Sequence, residues 1–288
     1  MDSSSLHATI DPPDGDLGKV TRAIAGLVDS QRGGDENYFR DQLPRYLRTC
    51  KRIQELVPAR GRALDIGSHY LHQSVLLSEL GFEVTGVDVE LFTSAAFVKE
   101  RAATFNIRNA TVNALEAGDF LAGQDGQFDL IVFTEILEHI TFNPIRFWRR
   151  VHELMSPAAL IYVSTPNALR PVAWCRQLMH LLAFRGIGLN LDEIMGNVTY
   201  GHHWKEYSAS EIRRYFAMLS SDFIVTTDWY SSDLGGGPGF KTDLKRLLAA
   251  VPCLRSDIEA VIRCSKRAGF SARAPQLRMQ QSAMKGGD

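Results

Sequence analysis

The segment Phe128–Ile140, FDLIVFTEILEHI, crowds two carboxylates and an imidazole just after a run of apolar residues. FDLIVF reads as a buried strand, and the residues after it read as helical. At about 100° per residue, Glu135, Glu138 and His139 fall on one helical face, and Ile136, Leu137 and Ile140 on the opposite one. Such a polar stripe suits a divalent cation, Mg²⁺ or another. A histidine within it can also take a proton from a hydroxyl. Gly201-His202-His203 offers a further ligand from far along the chain. Without a cation, Glu135 and Glu138 would bind substrate or backbone, and His139 would be a lone general base.

A second group lies upstream. Leu64–His72, LDIGSHYLH, stands between an apolar run and a helical pattern, where nucleotide-binding loops occur. A dinucleotide fingerprint would read G-x-G-x-x-G, but His69 and Leu71 stand where small residues belong. Gly67 lets the backbone pass close to a ligand. Asp88 closes the run VTGVD, placed to accept two hydrogen bonds from a ribose diol. Asn113, Ala114 and Leu115, after a third strand, border the same region.

The elements positioning these residues alternate. Strands are expected at Arg62–Ile66, Glu83–Val87, Ala110–Val112, Phe128–Phe133, Leu160–Ser164, Phe223–Tyr230 and Ile258–Lys266. Helices are expected at 37–57 (one or two, with Pro44 the candidate break), His72–Leu80, Ser94–Phe105, Phe147–Met155, after the capping box Ser208-x-x-Glu211, and in a basic stretch from Lys241 beyond the turn Gly235–Gly239. This alternation implies an α/β, doubly wound, largely parallel sheet covered by helices. Ligands in such sheets sit beyond the carboxyl ends of the strands, where all the groups above lie.

The 288 residues are 45% apolar, enough for a sizeable core, and 32 Lys+Arg balance 33 Asp+Glu, which argues against nucleic acid as a partner. There is no apolar run of about 18 residues and so no expected membrane span. The N-terminus lacks the features of an export signal. Cys50, Cys175, Cys253 and Cys264 are scattered without C-x-x-C spacing, which fits a reducing cytoplasm and buried or inert thiols. Residues 1–16 and 271–288 lack hydrophobic periodicity and are read as flexible ends of one domain, 17–270. An insertion at about 166–207, with Trp174, Tyr200 and Trp204, follows the fifth strand and is read as an acceptor pocket or lid.

Over roughly residues 40–268 the chain resembles the class I S-adenosylmethionine-dependent methyltransferases. The resemblance rests on LDIGS, VTGVD, FDLIVFTEILEHI, Ser156-Pro157 with LIYVSTPN, and GHHWKEYSASEI. It implies a Rossmann-like sheet of seven strands, the last antiparallel, with S-adenosylmethionine as cofactor. Asp65, Gly67, Ser68, Asp88, Asn113, Ala114, Leu115 and Thr134 would hold that cofactor. Only Asp65 and Gly67 match the family's D-x-G-x-G-x-G; His69 and Leu71 depart from it. Similarity to terminal RNA 2′-O-methyltransferases makes His203 a better metal ligand than His202, beside Glu135, Glu138 and His139. The acceptor implied is a hydroxylated small molecule or glycan. The alternatives are an RNA 2′-hydroxyl, a nicotinamide-dependent oxidoreductase, and a cofactor-binding partner subunit without catalysis.

Overall fold

The computed structural model describes residues 16–29, 36–57, 59–184, 188–189, 191–198, 201–231 and 247–273. The readings at residues 1–15 and 274–288, the Gly235–Gly239 turn, the start of the basic helix and Tyr200 lie outside them. The chain forms two compact units, residues 1–111 and 112–288. Seven strands build a mostly parallel, Rossmann-like α/β sheet with an antiparallel last strand, in line with the sequence. Within the first unit the strand order is β3-β2-β1, and within the second it is β4-β5-β7-β6.

In the first unit, helices α1 (Asp16–Asp29) and α2 (Glu36–Leu56) precede β1 (Arg62–Ile66), α3 (His72–Glu79) and β2 (Glu83–Asp88). A short α4 (Glu90–Thr93), α5 (Ala96–Thr104) and β3 (Arg108–Thr111) follow, and the three strands pair in parallel. One expectation is corrected. Pro44 lies inside α2 without breaking it. It is exposed, while Phe39, Tyr46, Cys50 and Ile53, spaced along one face, are buried and carry the helix through. The helix expected at Ser94–Phe105 forms as α5, beginning at Ala96 because Ala95 is extended, while the short α4 before it was not expected.

In the second unit, β4 (Phe128–Thr134) and β5 (Met155–Pro166) run parallel, joined through α6 (Ile145–Leu154). The insertion carries α7 (Pro171–Leu182) and α8 (Leu191–Gly196), and α9 (Ala209–Leu219) leads to β6 (Phe223–Tyr230) and then β7 (Asp257–Cys264). The expected capping box closes at Ser208: Ser208 Oγ accepts from the Glu211 N–H at 3.3 Å, and the Glu211 carboxylate accepts from the Ser208 N–H at 2.9 Å. β7 is antiparallel to both neighbours, β5 and β6. Burial explains the order. All of β7 but Arg263 is buried, as suits a strand covered on both faces, whereas FIVTTDWY of β6 has alternate residues exposed, as at an edge. Among the described residues, no helix is long and apolar enough to cross a membrane.

All four cysteines are free. Cys50 and Cys264 are buried, and burial raises both thiols above their usual range. Cys175 and Cys253 are exposed, so burial accounts for only two of the four.

Candidate active site

The loop after β1 explains the two absent glycines. Gly67, His69 and Leu71 all have left-handed backbones, with φ of 78°, 46° and 63°. The alternating path is therefore kept where the family places glycine, but two L-residues follow it at a cost of about 1–3 kcal/mol each. Packing supports both. Leu71 is fully buried, and a Cβ on Gly86 of β2 would lie 2.8 Å from Leu71 Cδ2. The small residue missing from the loop thus stands on the facing strand.

His69 is held by its backbone and its ring. Its N–H donates to Asp88 Oδ2 at 2.7 Å, and the Val89 N–H donates to Asp88 Oδ1 at 2.7 Å. Each carboxylate oxygen keeps a second lone pair, so Asp88 can still accept two ribose hydroxyls. The His69 ring packs against Tyr38, Tyr70 and Phe92, with centroids at 5.0, 3.8 and 4.3 Å. Burial, with a smaller contribution from Arg45, lowers its pKa to about 4, so the ring is neutral at pH 7.

Asp65 is only 2% exposed, and its carboxylate accepts from Ser74 Oγ of α3 at 2.6 Å. Burial raises it to about 7. It ties the end of β1 to α3. Ser68 is buried, its Oγ close against Gly86. Arg45 of α2 is buried beside Tyr46. Sequence reading missed the cluster of Phe39, Tyr46 and His72; the apolar spacing within α2 was its only signal.

In the second unit, the E-x-x-E-H segment is not an α-helical stripe. Glu135 ends β4 in a left-handed conformation, φ 55°, and Leu137–His139 form a single 3-10 turn. With that turn the two carboxylates take different partners on β5. Glu135 accepts from Ser164 Oγ at 3.0 Å, and the buried Glu138 accepts from Thr165 Oγ1 at 2.9 Å. Thr134, at the end of β4, is half-buried and in register with Ser164. Asn113 and Ala114 are exposed ahead of a 3-10 turn beginning at Leu115.

The insertion returns to this point by backbone pairing. The Ala168 N–H donates to the Tyr207 carbonyl at 3.1 Å, and the Trp204 N–H to the Glu138 carbonyl at 2.8 Å. His139 Nδ1 lies 3.0 Å from the His202 carbonyl, so Nδ1 carries the proton and Nε2 is left with its lone pair. Nε2 is 3.9 Å from Glu138 Oε1. The His203 ring meets that of His139 edge-on at 4.8 Å, whereas His202 contributes its carbonyl. Burial, and next His203, lower His139 to about 4. One ligand atom each from Glu138, His139 and His203 lies within 4.8 Å of the others; Glu135 is not in this group.

His203 also lines a cleft of about 680 Å³ built by the insertion, a size suited to a small ligand. Trp174 and Arg176 of α7 line it, as do Trp204, Lys205 and Arg170, the last paired with Glu206 at 2.6 Å. A second cluster, His152, Asp222 and Cys264, is structural: Asp222 already accepts from Ser265 Oγ and from the N–H groups of Arg267, Ala268 and Gly269. These bonds hold its carboxyl well below the usual range, despite burial.

Residues 38–218 match a family model described as a methyltransferase domain. The chain belongs to that family. It is a class I S-adenosylmethionine-dependent methyltransferase. This methyltransferase is 30% identical over 161 residues to a ubiquinone biosynthesis O-methyltransferase of Caulobacter sp. (strain K31), covering 54% of this chain and 57% of that one. A protein of the same name from Ruegeria pomeroyi is 28% identical over 155 residues, covering 52% and 51%. The chain thus spans about half the length of these curated relatives. Among solved structures, a putative methyltransferase in complex with the Trm112 methyltransferase activator of Haloferax volcanii superposes with a TM-score of 0.53 at 12% identity, over 86% of this chain and 96% of the other. That similarity concerns the fold. Family membership displaces the dehydrogenase alternative.

Proposed function

We propose that this methyltransferase methylates a hydroxyl oxygen of a small molecule bound in the insertion cleft, with His139 as the group that takes the hydroxyl proton. The observation carrying this reading is the His139 ring: Nδ1 is committed to the His202 carbonyl, Nε2 keeps its lone pair, and the neighbouring His203 lines the cleft. The relatives named as O-methyltransferases favour a small hydroxylated acceptor over a glycan or RNA.

S-adenosylmethionine, when bound, supplies a methyl group on a positively charged sulfur that leaves as the neutral thioether. The chain's work is to bind, align and remove a proton. The left-handed Gly67 gives the backbone close approach, Asp88 has lone pairs left for a ribose diol, and the buried Arg45 suits the carboxylate of an amino-acid group. As the acceptor oxygen bonds to the methyl carbon, its proton passes to His139 Nε2. The Glu138 carboxylate, 3.9 Å away, offsets the charge that forms.

A divalent cation at Glu138, His139 and His203 is a second reading, favoured by the same low pKa. A ring that protonates only near pH 4 is a weak base, but one whose lone pair is open to a metal at neutral pH. Two imidazoles and a carboxylate match Zn²⁺, Mn²⁺ or Fe²⁺ better than Mg²⁺, which prefers an all-oxygen shell.

The test is methyl transfer from labelled S-adenosylmethionine to a panel of catechols, phenols, sugars and short RNA. Label on the oxygen of a small phenolic acceptor is the expected outcome; transfer only to RNA, or to nitrogen, overturns it. Calorimetry with S-adenosylhomocysteine tests the cofactor assignment. Losing charged hydrogen bonds in Asp88→Ala should weaken binding about 10- to 100-fold.

A further inference from the structure

His69 stands where the family motif has glycine, so nothing in that motif assigns its side chain a task. Its Nδ1 is buried and has no hydrogen-bond partner among the described residues. Buried polar atoms are almost always satisfied, and a group left without a partner calls for a ligand or water. The rings around it are Tyr38, Tyr70 and Phe92, and neither tyrosine hydroxyl is hydrogen-bonded to this nitrogen. All three, and His69 itself, are only half-buried, so the cluster borders open space. The same residue's N–H is fixed on Asp88 Oδ2, which ties the ring to the carboxylate assigned above to the ribose diol. A left-handed backbone kept at a bulky residue is itself a cost, one a glycine would remove.

We propose that His69 is a cofactor-binding residue, its imidazole Nδ1 hydrogen-bonded to a ribose hydroxyl of S-adenosylmethionine that Asp88 also holds. This rests on the cofactor assignment under the proposed function. Nδ1 is the donor or the acceptor according to the tautomer, and a hydroxyl serves either. The side chain thus adds a nucleoside contact that a glycine at this place cannot make.

The test uses the full chain and calorimetric titration of S-adenosylhomocysteine into wild type, Asp88→Ala, His69→Gly and His69→Asn. Glycine accepts the backbone conformation, so His69→Gly keeps its circular dichroism and unfolding transition but binds about 3- to 10-fold more weakly. Asparagine tolerates the same conformation and restores a hydrogen-bonding group, returning affinity to within about twofold. The His69→Gly loss persists with 5′-methylthioadenosine, which lacks the amino-acid end; a loss that vanishes there overturns the ribose contact. If Asp88→Ala weakens binding while His69→Gly binds as tightly as wild type or more tightly, the His69 role is wrong and the cofactor site stands. If Asp88→Ala changes nothing, the site itself is misassigned and the His69 contact falls with it.

Discussion

Replacing His139 by alanine is expected to lower turnover by about 10²–10⁴-fold while leaving S-adenosylhomocysteine affinity within about twofold of wild type. The size reflects what the ring supplies. Its Nδ1 is committed to the His202 carbonyl at 3.0 Å, which leaves the Nε2 lone pair to take the acceptor proton. His203→Ala then separates the two readings of the site. If His139 acts as a base, His203 is a neighbour that lines the cleft, and its loss costs less than about 10-fold. If the pair binds a metal with Glu138, removing either imidazole costs about as much as removing the other, and chelation with EDTA abolishes turnover until Zn²⁺ or Mn²⁺ is returned. Glu138→Gln keeps a hydrogen-bonding group for Thr165 but not the charge 3.9 Å from Nε2, so it should lower turnover without changing cofactor affinity. Full turnover in His139→Ala on an identified acceptor would remove the base and the ligand together.

Much of the sheet was legible because its strands are short apolar runs with sharp ends. Arg62–Ile66 and Phe223–Tyr230 have the ends expected from sequence, and β7 is reversed as the family resemblance implies. The capping box at Ser208 was equally readable, being a local chemical pattern. What misled was periodicity applied across an element boundary. Glu135, Glu138 and His139 share a face only if a helix runs through them, but the left-handed Glu135 and a single 3-10 turn give a different geometry. The Glu135 N–H bonds to the Ser164 carbonyl at 2.8 Å, so pairing with β5 sets this turn rather than local propensity. Pro44 erred the other way, its local preference overridden by a long buried face. The burial of Arg45 and the packing of rings around His69 were not legible, because burial depends on contacts distant in sequence.

The loop after β1 makes a second large prediction, and an unusual one. Leu71 is fully buried and left-handed, so truncating it removes packing, while its backbone strain depends on what replaces it. Leu71→Ala leaves both a cavity and an L-residue at φ 63°, and should cost about 3–5 kcal/mol. Leu71→Gly leaves a slightly larger cavity but relieves the strain, recovering about 1 kcal/mol or more. Glycine should therefore be the more stable variant in urea unfolding, the reverse of the order at an ordinary buried position. Gly86 decides whether the two sites are matched. Gly86→Ala alone would force a methyl to within 2.8 Å of Leu71 Cδ2, at a cost of about 1–3 kcal/mol. With Leu71→Gly that contact is gone and only Ser68, at 3.0–3.1 Å, still crowds the methyl, so the double variant should be more stable than the sum of the two single changes by about 1–2 kcal/mol. Additive changes, or alanine more stable than glycine at position 71, would mean that loop and strand tolerate their side chains independently. A coupled result would explain how a family motif loses a glycine without losing its backbone path: the space that side chain needs has been cleared on β2.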